Sequence, residues 1–116
     1  MATEFSMTGN KKISTLQKEF SEKFPYLILR VEHPSGRKID PSKTIAQVRE
    51  KNNGELSVTG SQLVDTLESA GTEKFGLNLE VAYSLGGNWK RTSGDKQKMT
   101  LTALNRWCSE NGCDKQ

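Results

Sequence analysis

His33 is the one histidine in the 116-residue chain, and imidazole is the side chain that changes charge nearest neutral pH. It ends the alternation Leu27, Leu29, Val31, His33, so it could act as a general base at the end of a strand. The plainer reading is a semi-polar plug at the rim of a core. Tyr83 takes the matching place later in the chain, and no recognisable motif ties a serine or cysteine nucleophile to His33. Cys108 and Cys113 are the two cysteines. They have no second Cys or His pair at zinc spacing, so no metal site is expected. Cys108 reads as a buried helix residue and Cys113 as a free thiol in a frayed tail. No cofactor follows from any of these residues.

Trp89-Lys90-Arg91 and Arg106-Trp107 set aromatics beside basic groups, as single-strand nucleic-acid binders do. A sheet that stacks bases needs aromatics on its open face, and the outward positions described below have none. The turns Ser35-Gly36 and Gly86-Gly87-Asn88 match neither a dinucleotide fingerprint nor a phosphate-binding loop and read as hairpin turns. Lys11-Lys12 precede a helix start where an anion could sit. The corresponding Gln62 and Leu63 do not share the feature, so solvated charge is the simpler assignment.

Composition narrows the classes. With 33% hydrophobic and 27% charged residues, the chain is polar-leaning but suited to one domain with one core. A net charge of +3 is too small for a dedicated nucleic-acid binder. The start, MATEFSMTGN, lacks the basic and apolar regions of a signal peptide, and the longest apolar run, Tyr26–Leu29, is too short to span a membrane. A cytoplasmic protein with reduced thiols is expected.

Candidate elements must position those residues, and the chain spells them out twice. At an offset of 51, Ser6, Thr8, Gly9, Thr15, Leu16, Glu22, Lys23 and Phe24 meet Ser57, Thr59, Gly60, Thr66, Leu67, Glu73, Lys74 and Phe75. One residue is lost at Pro25, after which Leu27, Leu29 and Val31 meet Leu77, Leu79 and Val81. Self-similarity of this kind predicts an internal duplication, with repeats at 5–54 and 55–112 inside a single domain, 1–116. Each repeat reads strand, helix, strand, short strand, helix. Glu4–Gly9 alternates as a strand, and Ser14–Gln17 has the form of a capping box. Leu16, Phe20 and Phe24 form a core-facing stripe, with Glu19 and Lys23 paired outside, and Pro25 stops the helix. Leu27–His33 is the next strand, with Arg37–Ile39 its hairpin return. Asp40-Pro41-Ser42 opens a helix that carries Ile45 and Val48 inward and ends at Asn53-Gly54. In the second repeat Glu55–Thr59, Asp65–Glu68, Leu77–Tyr83 and Trp89–Thr92 take the same places. Thr92–Lys98 reads as a mobile loop, Met99–Asn111 as the last helix, and Cys113–Gln116 as fraying.

The unit KKISTLQKEFSEKFPYLILRV resembles one found in small uncharacterised bacterial proteins, of the form (K)V-x-T-L-x-K-x-F-x-E-x-F…L-x-V. The second copy departs from that form at Gly71, where an aromatic is wanted. The resemblance implies the repeat architecture and a bacterial type of origin, and it implies no activity.

The expected fold is therefore α+β: duplicated β-α-β-β-α units, a mixed six-stranded sheet, four helices on one face. Right-handed crossovers would make the first two strands of each half parallel, and polar outward residues (Ser6, Thr8, Arg30, Glu32; Ser57, Thr59, Asn78, Glu80) would leave the other face wet. The expected function is a non-catalytic protein-interaction module, monomeric or homodimeric, that binds a protein partner through Arg30, Glu32, Glu80 and Trp89. The alternatives are a weak single-stranded nucleic-acid binder and, behind it, a small enzyme centred on His33. The break in the repeat adds one more site. Phe20 corresponds to Gly71, beside the small Ala70, so either Trp107 (failing that, Trp89) lies across Gly71 or a groove stays open there as a ligand or partner site.

Overall fold

Period-two alternation does produce strands in the structure, a computed structural model that describes residues 3–52, 56–92 and 94–115, with side chains from residue 7 onward. β1 (Thr3–Met7) runs antiparallel to β3 (Leu56–Thr59), with Ser6 opposite Ser57 and Met7 opposite Leu56. β2 (Ile28–Glu32) runs antiparallel to β4 (Asn78–Leu85), with Arg30 opposite Glu80. A two-glycine turn carries β4 into β5 (Asn88–Arg91). Gly86 and Gly87 both have positive φ, 61° and 82°, the turn geometry whose twist suits its flanking strands. Helices α1 (Ile13–Lys23), α2 (Ile45–Val48), α3 (Val64–Phe75) and α4 (Leu101–Glu110) complete an α+β fold. The polar stretch expected as a mobile loop holds a 3-10 turn, Gly94–Lys98.

The strands do not form one six-stranded sheet. Among the described residues they make a two-stranded sheet, β1–β3, and a three-stranded sheet, β2–β4–β5, antiparallel in every pair. The expected parallel pairing of β1 with β2 is absent from these pairs because both edges of β2 are taken. β4 occupies one. On the other, Gln17 Nε2 donates to the Leu29 carbonyl at 3.1 Å, and Lys38 makes an isolated bridge to Glu32. That bridge is all that Arg37–Ile39 contributes as a return strand. Continued in the same register, Pro41 would face Leu29, and proline has no N–H to offer a ladder.

Helix starts also differ from expectation. α1 begins after Lys12 and α3 after Leu63, and neither N-cap side chain bonds the helix. Distant carbonyls serve instead: Ile13 and Ser14 donate to Lys43 and Pro41 at 2.9 Å each, and Val64 donates to Met99 at 3.0 Å. Gln17 and Glu68 are thereby free to reach strands, where Glu68 Oε2 accepts from the Val81 N–H at 2.9 Å. The side-chain caps belong to the other helices. Thr44 and Gln47 form a full capping box on α2, and Thr100 caps α4. α2 is a single turn that starts after Thr44, and the glycine stop foreseen at Asn53-Gly54 lies outside the described residues. Glu19 pairs with Lys11 at 2.8 Å in place of Lys23.

One buried cluster joins all of this. Leu16, Phe20 and Phe24 of the α1 stripe belong to it together with Leu67 and Phe75 of α3, and the Phe20 and Phe24 rings lie 5.2 Å apart. Leu29, Val31, Leu79 and Val81 come from the larger sheet, Met7, Leu56 and Val58 from the smaller, and Leu101, Leu104 and Cys108 from α4. Each such side chain contributes roughly 1.5–3 kcal/mol by leaving water. Among the described residues no helix is long and apolar enough to cross a membrane.

Candidate interaction site

In an antiparallel sheet, residues opposite one another share a face. The register therefore puts Arg30 and Glu32 of β2, Glu80 of β4, and Trp89 and Arg91 of β5 on the face away from the core. Arg30 Nη1 lies 3.2 Å from Glu80 Oε1, and Arg91 Nε lies 3.1 Å from Glu80 Oε2. The Arg30 guanidinium carbon sits 5.9 Å from the centre of the Trp89 ring, within cation–π range. Trp89 is 46% exposed and is the large hydrophobic residue left in solvent among the described residues. Arg30, Glu80 and Trp89 thus come together, and Arg91 joins them. In the sequence Arg91 stood out only as a basic neighbour of Trp89 and not as part of this face, although its two-residue spacing from Trp89 already put both on one face. Glu32 lies on the same face and borders two clefts, of about 470 and 430 Å³.

Partly exposed ion pairs of this kind are worth about 0–1 kcal/mol, so the cluster is not what keeps the protein folded. Its effect is to hold an indole and two guanidinium groups in place around one carboxylate. The wet face is also shorter than expected. Ala82 and Ser84 point the same way as Glu80, yet both are buried. The Ser84 hydroxyl donates to Asp114 Oδ2 at 2.6 Å, the Gly87 N–H donates to the same oxygen at 2.9 Å, and the Asp114 N–H donates to the Ser84 carbonyl at 2.8 Å. The tail expected to fray is therefore fixed to the β4–β5 turn as far as Asp114. These donors hold the Asp114 carboxyl below its ordinary range, the Ser84 hydroxyl foremost.

The space over Gly71 is filled, but not by an indole. A Cβ built on Gly71 would stand 2.4 Å from Leu79 Cγ and 2.6 Å from Leu79 Cδ1, and its three nearest atoms all belong to Leu79. Trp107 instead meets the Tyr83 ring edge-on, 5.8 Å between centres, with Lys96 Nζ 4.3 Å from its own ring centre. Gly71, Ala70 and Trp107 do not line the cleft beside α3.

His33 Nδ1 lies 3.4 Å from Glu50 Oε2 without hydrogen-bond geometry, and it is a buried nitrogen with no other partner among the described residues. That position suits a rim plug better than a base aimed at substrate. Among the described residues no group of three or more His, Cys, Asp or Glu could hold a metal ion. Glu68 is the carboxylate that sequence reasoning overlooked, because it was assigned to a helix cap. Burial raises its pKa, against lowering by the Val81 N–H and Gln97, and nearby Glu80 and Asp65 raise it further.

Cys113 is a free thiol, but it is buried rather than carried on a frayed tail. Gly112 turns at positive φ, and the Cys113 N–H donates to the Cys108 carbonyl at 2.9 Å, a bond that closes helix ends and brings the residues on either side of it into contact. Burial and the adjacent Cys113 sulfur push the Cys108 thiol up to about 12. At pH 8 the thiol is then almost wholly protonated. A thiol-reactive dye is expected to label native protein far more slowly than urea-unfolded protein, and rapid native labelling of Cys108 would contradict this. The unfolded thiol loses its proton first, so this group's contribution to stability falls as pH rises above about 8.5.

Compared with known proteins, the chain matches no family model, no curated protein and no solved structure at a significant level.

Proposed function

We propose that the protein is a non-catalytic protein-interaction module whose contact surface is the outer face of β2–β4–β5. The observation that carries this is the exposed Trp89 held against Arg30, with Arg30 and Arg91 both bound to Glu80. Tryptophan and arginine supply much of the energy at protein interfaces, and side chains already held in place lose less entropy on binding. In this reading the chain is an internally duplicated protein of bacterial type, monomeric or homodimeric, with its thiols kept reduced in the cytoplasm.

Matching places in the two halves support the duplication. Ile45 donates to Lys11 and Leu101 to Gln62, both at 3.0 Å, while Ala46 donates to Gly9 at 2.8 Å and Thr102 to Gly60 at 3.0 Å. The Ser21 hydroxyl donates to Leu27 at 3.0 Å and the Thr72 hydroxyl to Leu77 at 3.5 Å. In the two antiparallel pairs that join the halves a residue faces its own counterpart, Ser6 opposite Ser57 and Arg30 opposite Glu80, which is the arrangement a twofold axis between copies requires.

Charge reversal separates binding from folding on this face. Glu32 makes no ion pair among the described residues, so Glu32→Lys is expected to abolish partner binding while leaving Tm within about 2 °C, since exposed charges contribute little to stability. Unchanged binding would move the interface elsewhere. Glu80→Lys is a poorer probe, because it would set three cations side by side. A weak single-stranded nucleic-acid role draws on Trp89 beside Lys90 and Arg91. Binding to generic RNA that weakens steeply with salt would favour it over a protein partner.

A further inference from the structure

β5 is shorter than the strand it pairs with. It covers β4 from Leu85 to Ala82 and stops, while β4 extends back to Asn78. What happens next is set at Val81. Its N–H donates to Glu68 Oε2 at 2.9 Å, and its carbonyl accepts from the Thr92 N–H at 3.4 Å and the Thr92 hydroxyl at 3.1 Å. Both groups of Val81 therefore point away from β2. Along a strand the N–H and C=O of a residue turn to the same side, and residues two apart agree. The N–H and C=O of Leu79 must point the same way, past the end of β5. Among the described residues no hydrogen bond meets either of them. The Thr92 carbonyl accepts from Gln97 Nε2 at 2.9 Å, and Gly94–Lys98 forms a 3-10 turn rather than a continued ladder.

The free edge opens into the cleft of about 470 Å³ between β4 and α3. Leu79, packed on Gly71, keeps the strand close to the helix, so the cleft is a slot beside an unpaired edge. Its walls carry Glu32, Asp65, Glu68 and Glu80, in a chain whose net charge is +3. Glu80 is held by Arg30 and Arg91 and Asp65 by Lys98 at 2.7 Å, which leaves Glu32 and Glu68 without a cationic partner among the described residues. The raised pKa of Glu68, to which Glu80 and Asp65 contribute, is consistent with an excess of negative charge there.

We propose that this cleft takes an extended basic segment of a partner protein, which adds to β4 at Leu79 as a strand in line with β5. Main-chain bonds to Leu79 would supply the register, and alternate basic side chains would reach Glu32 and Glu80. The proposal deepens the interaction-module reading by giving the partner a chemistry, and it rests on that reading. It shares Glu32 and Glu80 with that face but is anchored on the Leu79 edge and not on the Trp89 indole, so the two can fail separately.

The test uses the full chain, ¹⁵N-labelled, titrated with a ten-residue peptide of alternating lysine and threonine and with its glutamate–threonine counterpart. The lysine peptide is expected to shift the Leu79 amide signal saturably and to slow its hydrogen exchange at least tenfold. The glutamate peptide is expected to leave both unchanged. Ser69→Lys adds a positive charge to the exposed wall of α3 and is expected to weaken the lysine peptide by roughly fivefold, whereas Glu110→Lys, exposed on α4 and outside the cleft lining, leaves its affinity within about twofold. Equal response to both peptides, or a saturable shift that spares Leu79, would overturn the proposal. So would the lack of any response at millimolar peptide. If the lysine peptide fails while a captured partner still depends on Trp89, this inference falls and the interaction face stands. If the peptide binds and no partner depends on Trp89, the reverse holds.

Discussion

Gly71→Phe is expected to leave little folded protein. A Cβ at this position already comes within 2.4 Å of Leu79 Cγ, and a phenyl ring must go where the leucine now lies. Overpacking by even a few atoms costs typically about 1–3 kcal/mol, and a ring exceeds that against a total stability of roughly 5–15 kcal/mol. Gly71→Ala is the milder version. Alanine is about 1 kcal/mol better than glycine inside a helix, so an unobstructed site would gain stability. Here the clash outweighs that gain and the variant is expected to lose about 1–2 kcal/mol. Leu79→Ala alone should cost about 2–5 kcal/mol, because it leaves a cavity. Combined, the two alanine variants are expected to cost less than the sum of their separate effects, since the new methyl enters the space the leucine vacates. Urea unfolding of the four proteins, followed by far-UV circular dichroism, measures this directly. Strict additivity would show that Leu79 and Gly71 do not share that space.

This contact illustrates what the sequence could and could not disclose. The missing aromatic at Gly71 was legible, as were the α1 stripe, its stop before Pro25, and the alternation of every strand. What fills the gap was not. Leu79 carries the same inward spacing as Leu77 and Val81, and spacing alone does not say which of them leans over the helix. The partner of β2 was illegible for a similar reason. A period of two puts Leu29 and Val31 inward whether β2 pairs with β1 or with β4, and the choice depends on Gln17 and Lys38 occupying its other edge. The helix starts were misread because Ser14 and Asp65 have capping chemistry. The helices begin earlier, after Lys12 and Leu63, and the N–H groups of Ile13, Ser14 and Val64 go to carbonyls of Lys43, Pro41 and Met99, far along the chain. On the candidate face, charged outward positions were identified one strand at a time. Their assembly around Glu80, with Arg91 included, needed the register of three strands at once.

Trp89→Ala is expected to weaken partner binding by roughly thirtyfold or more, the scale of a residue at the centre of an interface, with little change in stability. Half the indole is already in water, and β5 keeps its main-chain pairing to β4 whatever side chain position 89 carries. Loss of the ring also frees the Arg30 guanidinium from the cation–π contact, so part of the effect is loss of order in its neighbour. Isothermal titration calorimetry and a thermal melt on the same preparation separate the two quantities. A large drop in Tm with unaltered affinity would make Trp89 a packing residue.

The central claim is that the outer face of β2–β4–β5 meets the partner. Its most direct test is a ¹H–¹⁵N spectrum of the labelled protein with and without a partner recovered on immobilised wild-type chain. The account predicts that the largest changes fall on the Trp89 indole N–H, the Arg91 Nε–H and the amides of Arg30, Glu80 and Trp89, while α1 and the β1–β3 pair stay unmoved. Changes confined to α1 or to the β1–β3 pair, with the Trp89 indole signal unaltered, would contradict it.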